Sequence, residues 1–144
     1  MDAFADGGML HYTTTSNVIS TIKDSIIKQT TVNANAVTVS SATDTTLCNT
    51  GSLAAGHYYI LLGTATFPNN TTGRRAIFFA TSNTGSNVDR YSRIVMASSN
   101  GGLQAQVVYI CNPSSATTYY LRAYQNSGST QSVTNGGIRI LQLF

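Results

Sequence analysis

The chain has 144 residues, a formal charge of +3 and 9% charged residues, long enough to bury one core without metal or disulfide help yet far below the usual charged share of about 25%. Eight Tyr, five Phe and many Val, Ile and Thr exclude a disordered chain and point to an all-β class. The six Arg, at positions 74, 75, 90, 93, 122 and 139, are too scattered for a basic stripe, so no nucleic-acid partner is expected.

Residues 1–15 (MDAFADGGMLHYTTT) mix Gly, Asp and isolated apolar residues without a period and read as an extended arm. They lack the pattern of a signal peptide, and no apolar run approaches the roughly 18 residues of a membrane span. Residues 16–30 (SNVISTIKDSIIKQT) read as a short helix behind an N-cap at Ser16 or Asn17. Ile19, Ile22 and Ile26 fall at a, d and a, and isoleucine at both kinds of position favours a three-stranded seam. The same stripe equally suits one helix packed on its own domain, and two heptads are marginal alone.

From residue 31 onward, short β-type runs follow one another at 36–41, 45–49, 57–67, 74–81, 91–98, 103–111, 117–126 and 137–143. Turn chemistry separates them, including Asn69-Asn70 with Gly73, Asn112-Pro113-Ser114 and Asn135-Gly136-Gly137. Eight strands without a helical interlude predict a two-sheet sandwich or jelly roll. In the 57–67 run, Tyr59, Leu61, Gly63, Ala65 and Phe67 form one face. Tyr58, Ile60 and Leu62 make the other face apolar as well, so this strand is expected to be buried on both sides, the second against another copy of the chain. In the 117–126 run, Tyr119, Leu121 and Ala123 form the core face. Tyr120, Arg122 and Tyr124 form a face that suits either an ordinary outer sheet surface or a subunit contact.

Chemistry-bearing residues are sparse. Cys48 and Cys111 lie in different runs without CxxC spacing and read as buried free thiols. His11 and His57 have no carboxylate near in sequence, and Asp2, Asp6, Asp24, Asp44 and Asp89 form no pair. The chain is therefore expected not to be an enzyme and to need no cofactor or metal. Asp89, Arg90 and Arg93 make the densest charge cluster, worth about 0–1 kcal/mol as an exposed ion pair.

Four stretches carry a resemblance: Gly56-His57-Tyr58-Tyr59 entering one run, Gly73-Arg74-Arg75 opening the next, TTYYLRAYQNSGS, and the terminal GGIRILQLF. Over residues 36–144 the chain resembles the trimeric jelly-roll heads at the tips of bacteriophage fibres, which are similar in fold to complement-type globular heads and tumour necrosis factor. The resemblance implies an eight- to ten-stranded jelly-roll sandwich over residues 31–144, behind the short helix and the arm. It also implies a homotrimer with the last strand central, receptor-facing loops at one end, and a place on a virion. Other virion proteins, through residues 1–15, and a host-surface glycan or protein are the implied partners. The resemblance transfers no ligand residues. Loop composition offers Asn69, Asn70, Asn83, Asn87, Asp89, Arg90, Asn112 and Ser114. Such heads usually follow long shafts, whereas here some thirty residues precede the head, so a short capsid or baseplate fibre, or a fragment, is expected. A capsid-decorating fibre and a complement- or cytokine-like ligand are the alternatives.

Overall fold

The structure, a computed structural model, describes residues 28–84, 91–96 and 102–143, the middle stretch by its backbone alone. Among the described residues nine strands form two antiparallel sheets. They are β1 (Lys28–Asn33), β2 (Val37–Val39), β3 (Thr43–Leu53), β4 (Tyr59–Phe67), β5 (Arg75–Ala80), β6 (Tyr91–Met96), β7 (Leu103–Cys111), β8 (Thr117–Gln125) and β9 (Gln131–Gln142). The first sheet runs β1-β9-β4-β7, with β2 also on β9, and the second runs β3-β8-β5-β6. The chain changes sheet at most of its connections, the jelly-roll pattern.

The core follows from alternation. Along β4 every second residue is buried, Tyr59, Leu61, Gly63, Ala65 and Phe67, while Ile60, Leu62, Thr64 and Thr66 are half-exposed. Opposite them, Ile77 and Phe79 of β5 and Tyr119, Leu121 and Ala123 of β8 close the sandwich. Gly63 faces Leu121 of the other layer and lies beside Val107 of its own sheet. A Cβ there would stand 2.6 Å from Leu121 Cδ1 and 2.9 Å from Val107 Cγ1, so the absence of a side chain sets the local packing distance.

Three sequence expectations are corrected. The helix expected over 16–30 cannot reach its end, because Lys28–Asn33 pairs antiparallel with Gln142–Gly137 of β9. The β-branched run Thr30-Thr31-Val32 fits a pleated ladder better than a helix's last turn. The rest of that segment, with Ile19, Ile22 and Ile26, and the arm 1–15 lie outside the described residues. The last strand begins at Gln131, not at 137, and β2 pairs with its first three residues. Asn135-Gly136-Gly137, expected as a turn, lies inside β9. There Asn135 takes φ 50° and the β4–β9 register shifts between Thr64 and Thr66, so the turn-like residues make a bulge. The expected centrality of the last strand holds: β9 joins β1 and β2 to β4.

Candidate functional site

The outward positions of the first sheet form ordered rows, fixed by strand register. Leu141, Ile60 and Ile110 make the first row. Thr31, Arg139, Leu62 and Val108 make the second, and Asn33, Gly137, Thr64 and Gln106 the third. The face therefore grades from aliphatic to amide and hydroxyl over about two residue pairs. At its aliphatic end Ile110 is 61% exposed, Val108 49% and Tyr58 47%. Three large apolar side chains this open, beside half-buried Ile60, Leu62 and Leu141, form a patch that a sandwich does not need for its own core.

Tyr58, Ile60 and Leu62 thus stand on the outer face of the first sheet, with a core face behind them. Within the single chain the second face of β4, expected to be covered by another copy, is half-exposed. Tyr120, Arg122 and Tyr124 stand on the outer face of the other sheet, so no single flat contact takes in both sets. Arg122 is 2% exposed. It donates from Nη2 to the Asp44 carbonyl at 2.8 Å and lies 6.0 Å from the Phe78 ring centroid. Its guanidinium is engaged within its own subunit.

The loop candidates do not share one end. Phe67 pairs with Leu103 and Tyr59 with Cys111, so the 68–73 turn leaves one end of β4 and the 112–116 turn lies at the other, about 26 Å away for nine residues. The turn at 112–116 sits beside Gly56, whose N–H donates to the Pro113 carbonyl at 3.0 Å. This corrects the expectation of receptor-facing loops gathered at one tip. Asn69, Asn83, Asn112 and Ser114 are exposed and Asn70 half-buried; Asn87, Asp89 and Arg90 lie outside the described residues.

The Gly73-Arg74-Arg75 stretch is structural. Asn126 Oδ1 accepts the Arg74 N–H, and the Asn126 N–H donates to the Arg74 carbonyl at 3.1 Å, clamping the β4–β5 turn to the end of β8. Arg75 points inward and is fully buried. Its Nη2 donates to the Asn70 and Thr72 carbonyls at 2.5 and 3.3 Å, while Nε and Nη1 have no hydrogen-bond partner. Burial lowers its pKa. The inward orientation of Arg75 was not legible in the sequence, because a basic residue at a strand start ordinarily faces water.

Titratable chemistry elsewhere is thin. His57 Nδ1 lies 3.2 Å from Gln142 Nε2, with no carboxylate partner among the described residues. Cys48 and Cys111 are free, in different sheets, and burial pushes the Cys48 thiol up to about 11. Burial also raises the Cys111 thiol, against a hydrogen bond from Tyr119 that lowers it. Among the described residues no three His, Cys, Asp or Glu gather as a metal site, and no helix there is long and apolar enough to cross a membrane.

No family model matches the chain, and no curated protein matches it by sequence. Solved structures do match it in shape. Against the structure of infectious bursal disease virus Gx strain the TM-score is 0.53 at 14% identity, over 80% of this chain and 33% of that one. Against the VP2 subviral particle of the same virus it is 0.52 at 11% identity, over 81% and 33%. Against Eiger TNF from S. frugiperda it is 0.54 at 9% identity, over 83% and 94%. The chain thus spans about a third of the length of the viral chains and nearly all of the TNF chain. What these likenesses share with the strand order above is the fold, an all-β jelly-roll sandwich.

Proposed function

We propose that the chain is a non-enzymatic virion structural protein, a short homotrimeric fibre whose jelly-roll head is displayed on a phage particle for attachment to the host surface. The observation that carries this reading is the open aliphatic end of the first sheet, Tyr58, Ile60, Leu62, Val108, Ile110 and Leu141. Leaving such a patch in water costs roughly 25 cal/mol per Å² of apolar area, and a second copy of the same chain covers it at no cost in specificity. The likeness in fold to a viral particle protein and to a TNF supports a self-associating head on a particle. Residues 16–27 supply the trimer seam through Ile19, Ile22 and Ile26, and residues 1–15 hold the trimer to other virion proteins.

Light scattering should give three times the 15.3 kDa chain mass, and Ile110→Asp should return folded monomers. A wild-type protein that stays monomeric would sink the reading. Ile22→Asp weakens the trimer if the helix seam contributes. A second reading, a capsid-decorating fibre without a receptor, is favoured by one observation: the candidate loops lie at opposite ends of the sandwich, so no single tip gathers them. Particles lacking the protein separate the two. Loss of adsorption supports attachment, and lost particle stability with normal adsorption supports decoration.

A further inference from the structure

Beyond the aliphatic rows, the outer face of the first sheet sinks into a groove of about 520 Å³. Its hollow follows from the register: Gly137 is the outward residue between Asn33 and Thr64 and contributes no side chain. Around it stand Arg139, Asn33, Gln104, Gln106, Asn135 and Thr64, with Leu62 and Val108 forming an apolar flank. Directly opposed side chains on neighbouring strands stand about 5 Å apart, so Arg139 and the amides of the next row reach a common space.

Two facts identify what this space lacks. The five strands of the first sheet contain no Asp or Glu at all, and the Arg139 side chain makes no hydrogen bond or ion pair with any described residue. The side-chain amides of Asn33, Gln104 and Gln106 are likewise unengaged. A guanidinium presents paired N–H donors in a plane that fits a carboxylate bidentately, and each amide supplies both donors and an acceptor for hydroxyl groups. One positive charge among several neutral amides fits a singly charged, hydroxyl-rich ligand rather than a multiply charged phosphate. The groove lies within the roughly 300–1,000 Å³ typical of small-ligand sites.

We propose that this groove binds a carboxylated sugar, Arg139 holding the carboxylate and Gln106 and Asn33 the ring hydroxyls, beside rather than beneath the aliphatic patch to which Leu62 and Val108 belong. The site itself follows from the groove's residues; that the sugar comes from the host surface rests on the attachment reading.

Isothermal titration with N-acetylneuraminic acid, glucuronic acid, glucose and inorganic phosphate tests it on the full chain. One or both acidic sugars should bind, glucose at least tenfold more weakly. Arg139→Gln should lose at least tenfold for the acidic sugar, and Gln106→Ala a few-fold, with chain mass in solution and thermal stability unchanged. The proposal is overturned if neither acidic sugar binds, if Arg139→Gln binds as the wild type does, or if phosphate binds as well as the sugars. A changed mass in Arg139→Gln also overturns it, because that residue then belongs to the subunit contact. Sugar binding in a protein dispensable for host adsorption sinks the attachment reading and leaves the groove standing. Adsorption without sugar binding does the reverse.

Discussion

Gly73 shows how one residue fixes the end of the sandwich. Its φ is 76°, and a Cβ there would run into the Asn126 carbonyl group, so both the backbone angle and the close approach to β8 require glycine. Gly73→Ala should lower stability by about 1–3 kcal/mol, read as a fall in the thermal midpoint. Arg75 behaves differently. Its two orphaned nitrogens carry a desolvation cost that its two carbonyl contacts offset only in part, and exchanging buried ionic groups for apolar ones of similar volume is often neutral or stabilising. Arg75→Met should therefore stay within about 1 kcal/mol of the wild type or exceed it in chemical denaturation; a loss of several kcal/mol would mean that its hydrogen bonds to the Asn70 and Thr72 carbonyls outweigh the desolvation. Cys48 makes a pH prediction. Its folded pKa, about 11, lies above the ordinary 9.0, so the folded state holds its proton more tightly. That contribution is complete below pH 9 and is lost as pH rises toward 11. Cys48→Ala should flatten the alkaline fall in stability relative to the wild type. The glycine's importance was legible in the turn residues; the burial of Arg75 was not, since nothing in GRR distinguishes an inward strand start from a solvated one.

Strand β7 carries both roles of the first sheet in alternate residues. Val107 is 2% exposed and lies in the core, and Val108, its neighbour, is 49% exposed on the outer face. Val107→Asp should abolish folding, placing an unpaired charge among apolar side chains, whereas Val108→Asp should leave the circular dichroism spectrum native and disperse the assembly. If both variants unfold, the outer face is not a free surface. The strand that alternates cleanly, β4, was readable from sequence for this reason: a half-buried strand writes its two environments into odd and even positions. Strand β1 was hidden, because its first three residues close the segment that the isoleucine spacing marks as helical, and its partner, β9, is distant in sequence. The first half of β9 was hidden behind Asn135-Gly136-Gly137, which by composition marks a turn and in three dimensions marks a bulge. The aliphatic end of the candidate face was half legible, since Tyr58, Ile60 and Leu62 share one strand parity. Val108, Ile110 and Arg139 join them only through register, which one strand's sequence does not contain.

At the scale of the whole molecule, assembly should depend on the head more than on what precedes it. If the proposed trimer rests on two linked contacts, the head and residues 16–27, a chain begun at residue 28 should still form trimers, at higher protein concentration than the full chain. Sedimentation across a dilution series checks this, and a strictly monomeric head would place the contact in residues 1–27. The central place of β9 reaches further, into how the protein is made. Strands β1 and β2 touch β4 through no ladder of their own; residues 131–142 join them. During synthesis, at about 5–20 residues per second, the first sheet stays in three pieces, β1, β2 and the β4–β7 pair, with one edge of β4 unpaired, until β9 has left the ribosome. A chain interrupted before β9 therefore carries an unpaired edge on β4, the kind of edge that pairs with another chain.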